Sequence, residues 1–297
     1  KKRLSGLDDE LNQKICDQEE AVAVVVSALL RRRMDVSNPN RPTGCFLFLG
    51  PTGTGKTHTA ETLAEMYFEG EDRMARLDMS EYQGAEALKK LLGDSEGEVE
   101  GIFHKILTAN PFNLILLDEL EKADASVHKL LLQIMEEGMA RTGRGKKLNF
   151  RETIIIATSN AAALLIQEMV KKGSRGEEIK KAVLDKIQQD GIFSPEMLNR
   201  FDGVVVFEPL SLEGMTKVAG LSLEKLKKRL ETKEILIDFD STFKQKLAEK
   251  GFDPVFGARE LRRVVEKDIE EKIARDLLNG KIEKGSTFNL PLEYLDN

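Results

Sequence analysis

Cysteine is scarce in this chain. Its 297 residues hold two, Cys16 and Cys45. Without C-x-x-C spacing they supply neither a disulfide framework nor a zinc site. Burial accounts for Cys45, which sits in an apolar run, and a reducing, cytoplasmic location is the expectation. Long apolar runs are missing as well. Residues 21–30 form the longest near the start and stop at Arg31, Arg32 and Arg33. They are too few to cross a membrane, so the run reads as a buried helix and not as a signal peptide. Nor is there an excess of positive charge. Lys and Arg number 45 against 51 Asp and Glu, a net charge of −6, which argues against a nucleic-acid binder working through a general basic surface. No internal repeat or low-complexity tract stands out. The chain opens Lys-Lys-Arg without Met, as an excised module of a longer protein would. Apolar residues make up 41% and charged residues 32%, a globular composition long enough for one large domain and a smaller one.

What is present is more specific. Residues 50–57 read Gly-Pro-Thr-Gly-Thr-Gly-Lys-Thr and match G-x-x-x-x-G-K-[ST] at every fixed position. An apolar segment of strand length precedes the motif and a helical one follows. That context makes it a phosphate-binding loop. Glycines let backbone N–H groups converge on phosphate, and the helix N-terminus adds its positive dipole end. Thr52, Gly53, Thr54, Gly55 and Lys56 are the expected phosphate contacts, with His58 in the first helical turn. Thr57 offers a hydroxyl to Mg²⁺.

Along the chain, residues 8–34 read as a helical lead-in and 37–42 as a turn-rich connector. Strands are expected at 45–49, 74–78, 114–118, 153–157 and 204–207, and helices at 57–68, 85–92, 101–109 and 125–137. The run at 114–118 is continuously apolar until its last residue, as in a strand buried on both faces of a parallel sheet. Strands alternating with helices predict an α/β fold. After Pro209 the character changes. Helices at 212–230, 243–250 and 258–278, with short strands at 235–237 and 287–290, predict a small, mostly helical second domain. The expected domains are 1–208 and 209–297.

Three further signals carry chemistry. Asp118-Glu119 closes an apolar strand. There the first carboxylate can hold the hydration shell of Mg²⁺ and the second can activate a water; taken alone, the pair also suits a helix start. Asn160, after the next buried strand, can hold that water or cap a helix. Arg200 and Arg259 each read locally as ion-pair residues, and each also suits a transferring phosphoryl group, Arg259 by reaching across from the second domain.

Together these motifs resemble the second ATPase module of the Clp unfoldases and disaggregases, AAA+ proteins of the ClpB, ClpC and ClpA types. The resemblance runs from Gln18-Glu19-Glu20 to the final strand. It includes Asp78-Met79-Ser80-Glu81-Tyr82 and Glu119-Leu120-Glu121-Lys122-Ala123. It implies a five-stranded parallel sheet between helices, a helical lid and a homo-hexameric ring that hydrolyses ATP to ADP with Mg²⁺. By the same resemblance, residues 50–57 are the Walker A motif, Asp118 and Glu119 the Walker B pair, and Asn160 is sensor 1. Arg259 is sensor 2, acting in cis, and Arg200 the arginine finger, acting on the neighbouring subunit. Ile15 and Cys16 stand where the family lines its adenine pocket. The implied partners are further copies of the chain, protein substrates, and a protease or co-chaperone; nucleic acid and membrane are not among them.

The sequence departs from the family at two places. Asp17 stands where a Gly usually precedes the lead-in Gln. The pore loop, which in the family carries Gly-Tyr-Val-Gly, corresponds to residues 93–101, is shorter and has no Tyr. Either Phe103 or Val99 then grips the substrate, or the loop has lost its grip. Residues 139–150 form a basic hairpin with Arg141, Arg144, Lys146 and Lys147, a secondary pore loop in the family. The expected function is ATP-driven protein remodelling. The competing reading is a nucleotide-gated assembly module that threads no polypeptide. A DNA-remodelling ATPase is disfavoured by the charge.

Overall fold

The computed structural model describes residues 6–34, 38–68, 70, 73–253 and 257–296; of the expected connector, Ser37 lies outside them. The chain forms two compact units. One comprises Lys1–Gly50 and Lys56–Glu208, the other Pro51–Gly55 and Pro209–Asn297.

In chain order the first unit contains α1 (Leu7–Lys14), α2 (Glu19–Arg33), β1 (Gly44–Leu49), α3 (Lys56–Phe68), β2 (Met74–Asp78), α4 (Ala87–Leu92), α5 (Ile102–Ala109) and β3 (Leu114–Asp118). There follow α6 (Ala125–Glu137), β4 (Met139–Arg141), β5 (Lys147–Asn149), β6 (Ile154–Ser159), α7 (Ala163–Lys171), α8 (Glu177–Gln189), α9 (Pro195–Arg200) and β7 (Gly203–Val206). Five strands make one parallel sheet in the order β2-β3-β6-β1-β7, the sheet the resemblance implies. β4 and β5 pair as an antiparallel hairpin.

Alternation along the strands builds two cores, one on each face of the sheet. Cys45, Leu47, Ile115, Leu117 and Ile155 pack with α4 to α9 and the hairpin. Phe46, Phe48, Leu114, Leu116, Ile154 and Ile156 pack with α1, α2 and α3. Each such side chain contributes about 1.5–3 kcal/mol by leaving water. Burial also pushes the Cys45 thiol far above the usual range, so it is an inert core residue.

The second unit contains α10 (Leu212–Glu231), β8 (Leu236–Asp238), α11 (Ser241–Lys250), α12 (Ala258–Val264), α13 (Glu270–Leu278) and β9 (Thr287–Asn289). β8 and β9 pair in parallel. The Asp240 carboxylate caps α11 by accepting from the Phe243 N–H at 2.7 Å, the usual use of Asp at that position. The Tyr294 hydroxyl donates to Asp276 Oδ2 at 2.5 Å.

Three features differ from the sequence expectation. The lead-in is two helices, broken at 15–18, where Asp17 takes φ +56°. That is a left-handed backbone, and Asp enters it more easily than most residues. The long helix of the second unit is two α segments joined by a π-helix, Val265–Ile269. Leu261, Val265, Ile269 and Ile273 recur every four residues and all are buried. At 3.6 residues per turn that spacing drifts around the helix, and the wider π turn holds all four in the core. Finally, α7 and α8 fill the stretch before Ile192.

Candidate functional site

β1 is buried along its whole length and ends at the glycine loop. A Cβ on Gly50 would lie 2.5 Å from Phe207 O, so only glycine fits there. The Gly50 N–H donates to Ser159 O at 3.1 Å, tying the loop to the end of β6. Gly53 and Gly55 have φ +79° and +100°. Residues 51–55 group with the second unit: the Ala258 N–H donates to Gly53 O at 3.1 Å. Within this loop Thr52 is half-buried and Thr54 buried, its hydroxyl donating to Pro51 O at 2.9 Å.

Lys56 opens α3 and is only 7% exposed. Its Nζ donates to Gly50 O at 2.7 Å and to Asn160 Oδ1 at 3.0 Å. Thr57 follows, half-buried in the first turn. His58 Nδ1 lies 3.7 Å from Glu61 Oε2 on the outer face of the helix.

The carboxylates stand two strands away. Asp118, the last residue of β3, accepts from the Thr158 hydroxyl through Oδ1 and pairs with Arg76 of β2 through Oδ2. Glu119 has φ +58°, a left-handed backbone at a non-glycine residue. Its N–H donates to Thr158 Oγ1 at 3.2 Å. Its Oε1 accepts from Asn160 Nδ2 at 3.3 Å, and its Oε2 pairs with Lys122 Nζ at 2.5 Å. The hydrogen bond and charge of Glu119 raise the Lys122 pKa. The Asn160 N–H donates to Glu121 Oε1 at 3.0 Å. The Asn160 amide therefore joins Lys56 to Glu119. Asn160 does not cap the following helix, whose N-cap is Ala162.

The oxygen donors fit Mg²⁺. A threonine hydroxyl and one carboxylate at a strand end are hard ligands, too few for a closed cage. They suit an ion that shares its shell with phosphate and water. Among the described residues no group of three or more His, Cys, Asp or Glu could hold a metal without such help.

Arg200 lies elsewhere. It ends α9 immediately before β7, which runs parallel to β1. It therefore sits at the N-terminal edge of the sheet, whereas the glycine loop follows the C-terminal edge. A strand of this length separates the edges by about 20 Å. The Arg200 guanidinium pairs with Glu136 of α6, and its carbonyl accepts from Arg41 at 2.5 Å. Within one copy it does not meet Lys56. In the second unit, Arg259 is exposed in the first turn of α12. At the end of α1, Ile15 is buried with Leu7 and Leu11, and Cys16 is half-buried. The Gln18 side chain donates to Glu208 O at 3.1 Å.

The loop at 93–101 is closed on itself. Asp94 Oδ1 accepts from the Gly97 N–H at 2.6 Å and Oδ2 from the Val99 N–H at 3.2 Å. Arg144, from the β4–β5 hairpin, donates to Glu96 O. Phe103 is 1% exposed and stacks edge-to-face on Phe150 at 5.2 Å. Core packing consumes it, so it is no gripping residue. Val99 is 37% exposed.

The sequence alone assigned no role to Thr158, Arg76, Glu121 or Lys122. Thr158 and Arg76 act across strands; Thr158 stands two residues before Asn160, on the same side of the strand, and Glu121 and Lys122 lie in the matched stretch 119–123, with Lys122 three residues after Glu119.

A model of the AAA domain (Cdc48 subfamily) matches residues 41–204, and one of the C-terminal, D2-small domain of ClpB protein matches residues 210–290. The chaperone protein ClpB of Meiothermus ruber is 40% identical over 290 residues, 96% of this chain and 34% of that protein. ClpB of Vibrio cholerae serotype O1 is 39% identical over 297 residues, 99% of this chain and 34% of that protein. The chain thus spans about a third of the length of these relatives. Among solved structures, the Hsp104–ADP complex of S. cerevisiae superposes with a TM-score of 0.89 at 32% identity, covering 98% of this chain and 51% of that one. A closed-state reconstruction of Hsp104 with ATPγS and FITC casein gives 0.86 at 31% identity, with the same coverage.

Proposed function

The chain belongs to the AAA+ ATPases as a Clp-type module, and from that premise we propose that it hydrolyses ATP and drives the remodelling of protein substrates. The first unit is the nucleotide-binding core and the second the lid. The observation that carries the reading is the line Lys56–Asn160–Glu119, which brings a phosphate-binding lysine and a base to one amide.

In this reading Lys56 and the N–H groups of residues 52–57 hold the phosphates, while Ile15 and Cys16 border the base. Thr57 and, through water, Asp118 hold Mg²⁺, which supplies charge neutralisation on the phosphates. Glu119 takes the proton of the attacking water, and Asn160 fixes the position of that water. Arg259 acts on the nucleotide of its own chain. Arg200, at the opposite sheet edge, serves a neighbouring copy, which calls for a homo-hexameric ring.

Val99, with the basic hairpin beside it, is the apolar contact for substrate polypeptide. The similarity to proteins named chaperones, and to Hsp104 solved with casein, favours remodelling over a pure assembly role. Among the described residues no helix is long and apolar enough to cross a membrane; a cytoplasmic site of action is part of the proposal, as is a protease or co-chaperone partner.

Glu119→Gln tests the reading. ATP affinity should stay within about threefold, and turnover should fall by about 10²–10⁴, the usual worth of a general base. Turnover near that of wild type would remove Glu119 from the mechanism.

A further inference from the structure

We propose that Thr158 is a positioning residue that locks the base Glu119 in its working backbone conformation; the inference rests on the hydrolysis reading above. Thr158 is 1% exposed on β6, between the strand that ends in Asp118 and the strand that leads into the glycine loop. A hydroxyl offers one donor and two acceptor sites. Here the donor goes to Asp118 Oδ1 and an acceptor site takes the Glu119 N–H at 3.2 Å. One oxygen thereby holds two consecutive residues with different tasks: the side chain of the first and the main chain of the second.

The second hold is the informative one. Glu119 is at φ +58°, in a region that non-glycine residues seldom occupy. Such a conformation persists only where the surroundings over-determine it. The Glu119 amide is turned towards β6, and the Thr158 hydroxyl is the acceptor that meets it. Two residues further on, Asn160 projects to the same side of the strand and donates to the Glu119 carboxylate at 3.3 Å. Thr158 thus grips the backbone of the base and Asn160 its side chain. Removing the hydroxyl frees the Glu119 peptide to leave the left-handed region, which swings the carboxylate away from Asn160. A residue that merely filled space would need the methyl group of Thr158 and not its oxygen.

Two substitutions separate these cases. Thr158→Val keeps the shape and removes the hydroxyl; Thr158→Ser keeps the hydroxyl and removes the methyl. In the nucleotide-free chain, amide hydrogen exchange at Glu119 should quicken by about tenfold or more in Thr158→Val and stay within about threefold of wild type in Thr158→Ser. In the whole protein, kcat should fall roughly 10–100-fold in Thr158→Val with KM for ATP within about threefold, and Thr158→Ser should recover most of the loss. Unchanged exchange at Glu119 in the Val variant overturns the proposal. So does a Ser variant as impaired as the Val variant, and the Ser variant decides even where the Val variant fails to fold. A wild-type protein that binds ATP without turning it over would instead remove the hydrolysis reading, and the exchange rates would still decide the role of Thr158.

Discussion

Asn160 accepts a hydrogen bond from Lys56 at 3.0 Å through the oxygen of the amide whose nitrogen faces Glu119. The orientation of that amide is forced. A lysine ammonium can only donate and an ionised carboxylate can only accept, so oxygen faces the first and nitrogen the second. Asn160→Asp would turn the second contact into a repulsion between two carboxylates while keeping the first. Turnover should drop by about a hundredfold, with ATP affinity changed far less. Steady-state turnover beside equilibrium nucleotide titration checks this.

Arg200 and the glycine loop occupy opposite edges of one sheet, so two inactive variants should rescue each other. Arg200→Ala keeps the base and lacks the arginine; Glu119→Gln has the reverse defect. In an equimolar mixed ring about a quarter of the sites would pair an intact base with a neighbour's arginine. Turnover of the mixture should exceed the sum of the two separate variants. A mixture no better than its components would place Arg200 outside the reaction.

Phe103 and Val99 should separate cleanly. Phe103→Ala empties a core position against Phe150 and should cost about 3–5 kcal/mol of stability, read as a lowered denaturation midpoint. Val99→Ser changes an exposed loop tip and should leave the midpoint within about 0.5 kcal/mol. Its effect should instead be slower ATP-driven unfolding of a tagged, folded substrate by the whole protein, with ATP turnover retained.

The pair Tyr294–Asp276 gives the second unit a pH dependence of known sign. The Tyr294 hydroxyl, then Lys281, hold the Asp276 pKa below its ordinary value. Burial, then the bond to Asp276, pushes the Tyr294 pKa up. A depressed carboxylate contributes stability that is complete above its unfolded value, about 3.9, and is lost as pH falls through the folded one. A raised phenol contributes stability that is complete below about 10 and is lost as pH rises through its folded value. Tyr294→Phe should therefore lower the melting temperature across the neutral range, with the gap to wild type closing at acid pH. Melting curves of both proteins from pH 2 to 8 check it.

Much of this site could be read in advance because its parts are local. Strand 114–118 followed by Glu119, and loop 50–57 between strand and helix, are contiguous words. The apolar strands were equally legible, since burial on both faces leaves an unbroken run. Helix α8 had a signal that went unused: Ile179, Val183 and Ile187 recur every four residues, all fully buried. The remainder depends on pairings that no local window holds. Thr158 meets Asp118 because β6 lies beside β3, and Arg200 meets Glu136 because α9 packs near α6. The left-handed turn at Glu119 is invisible in composition, for Glu is not among the residues, Gly, Asn and Asp, that favour that conformation.

The closed loop at 93–101 has a bearing on evolvability. The bonds that Asp94 and Arg144 give it all end on main-chain atoms, of Gly97, Val99 and Glu96. The side chains of residues 95, 96, 98 and 99 do not enter these bonds, so substitutions there can accumulate without refolding the loop. Asp94 and Gly97 are held constant by geometry, the latter because its backbone stands at φ +81°, where a side chain is strained. Natural drift, or a directed library confined to those four positions, can retune what the loop touches while the ATPase machinery behind it stays as it is.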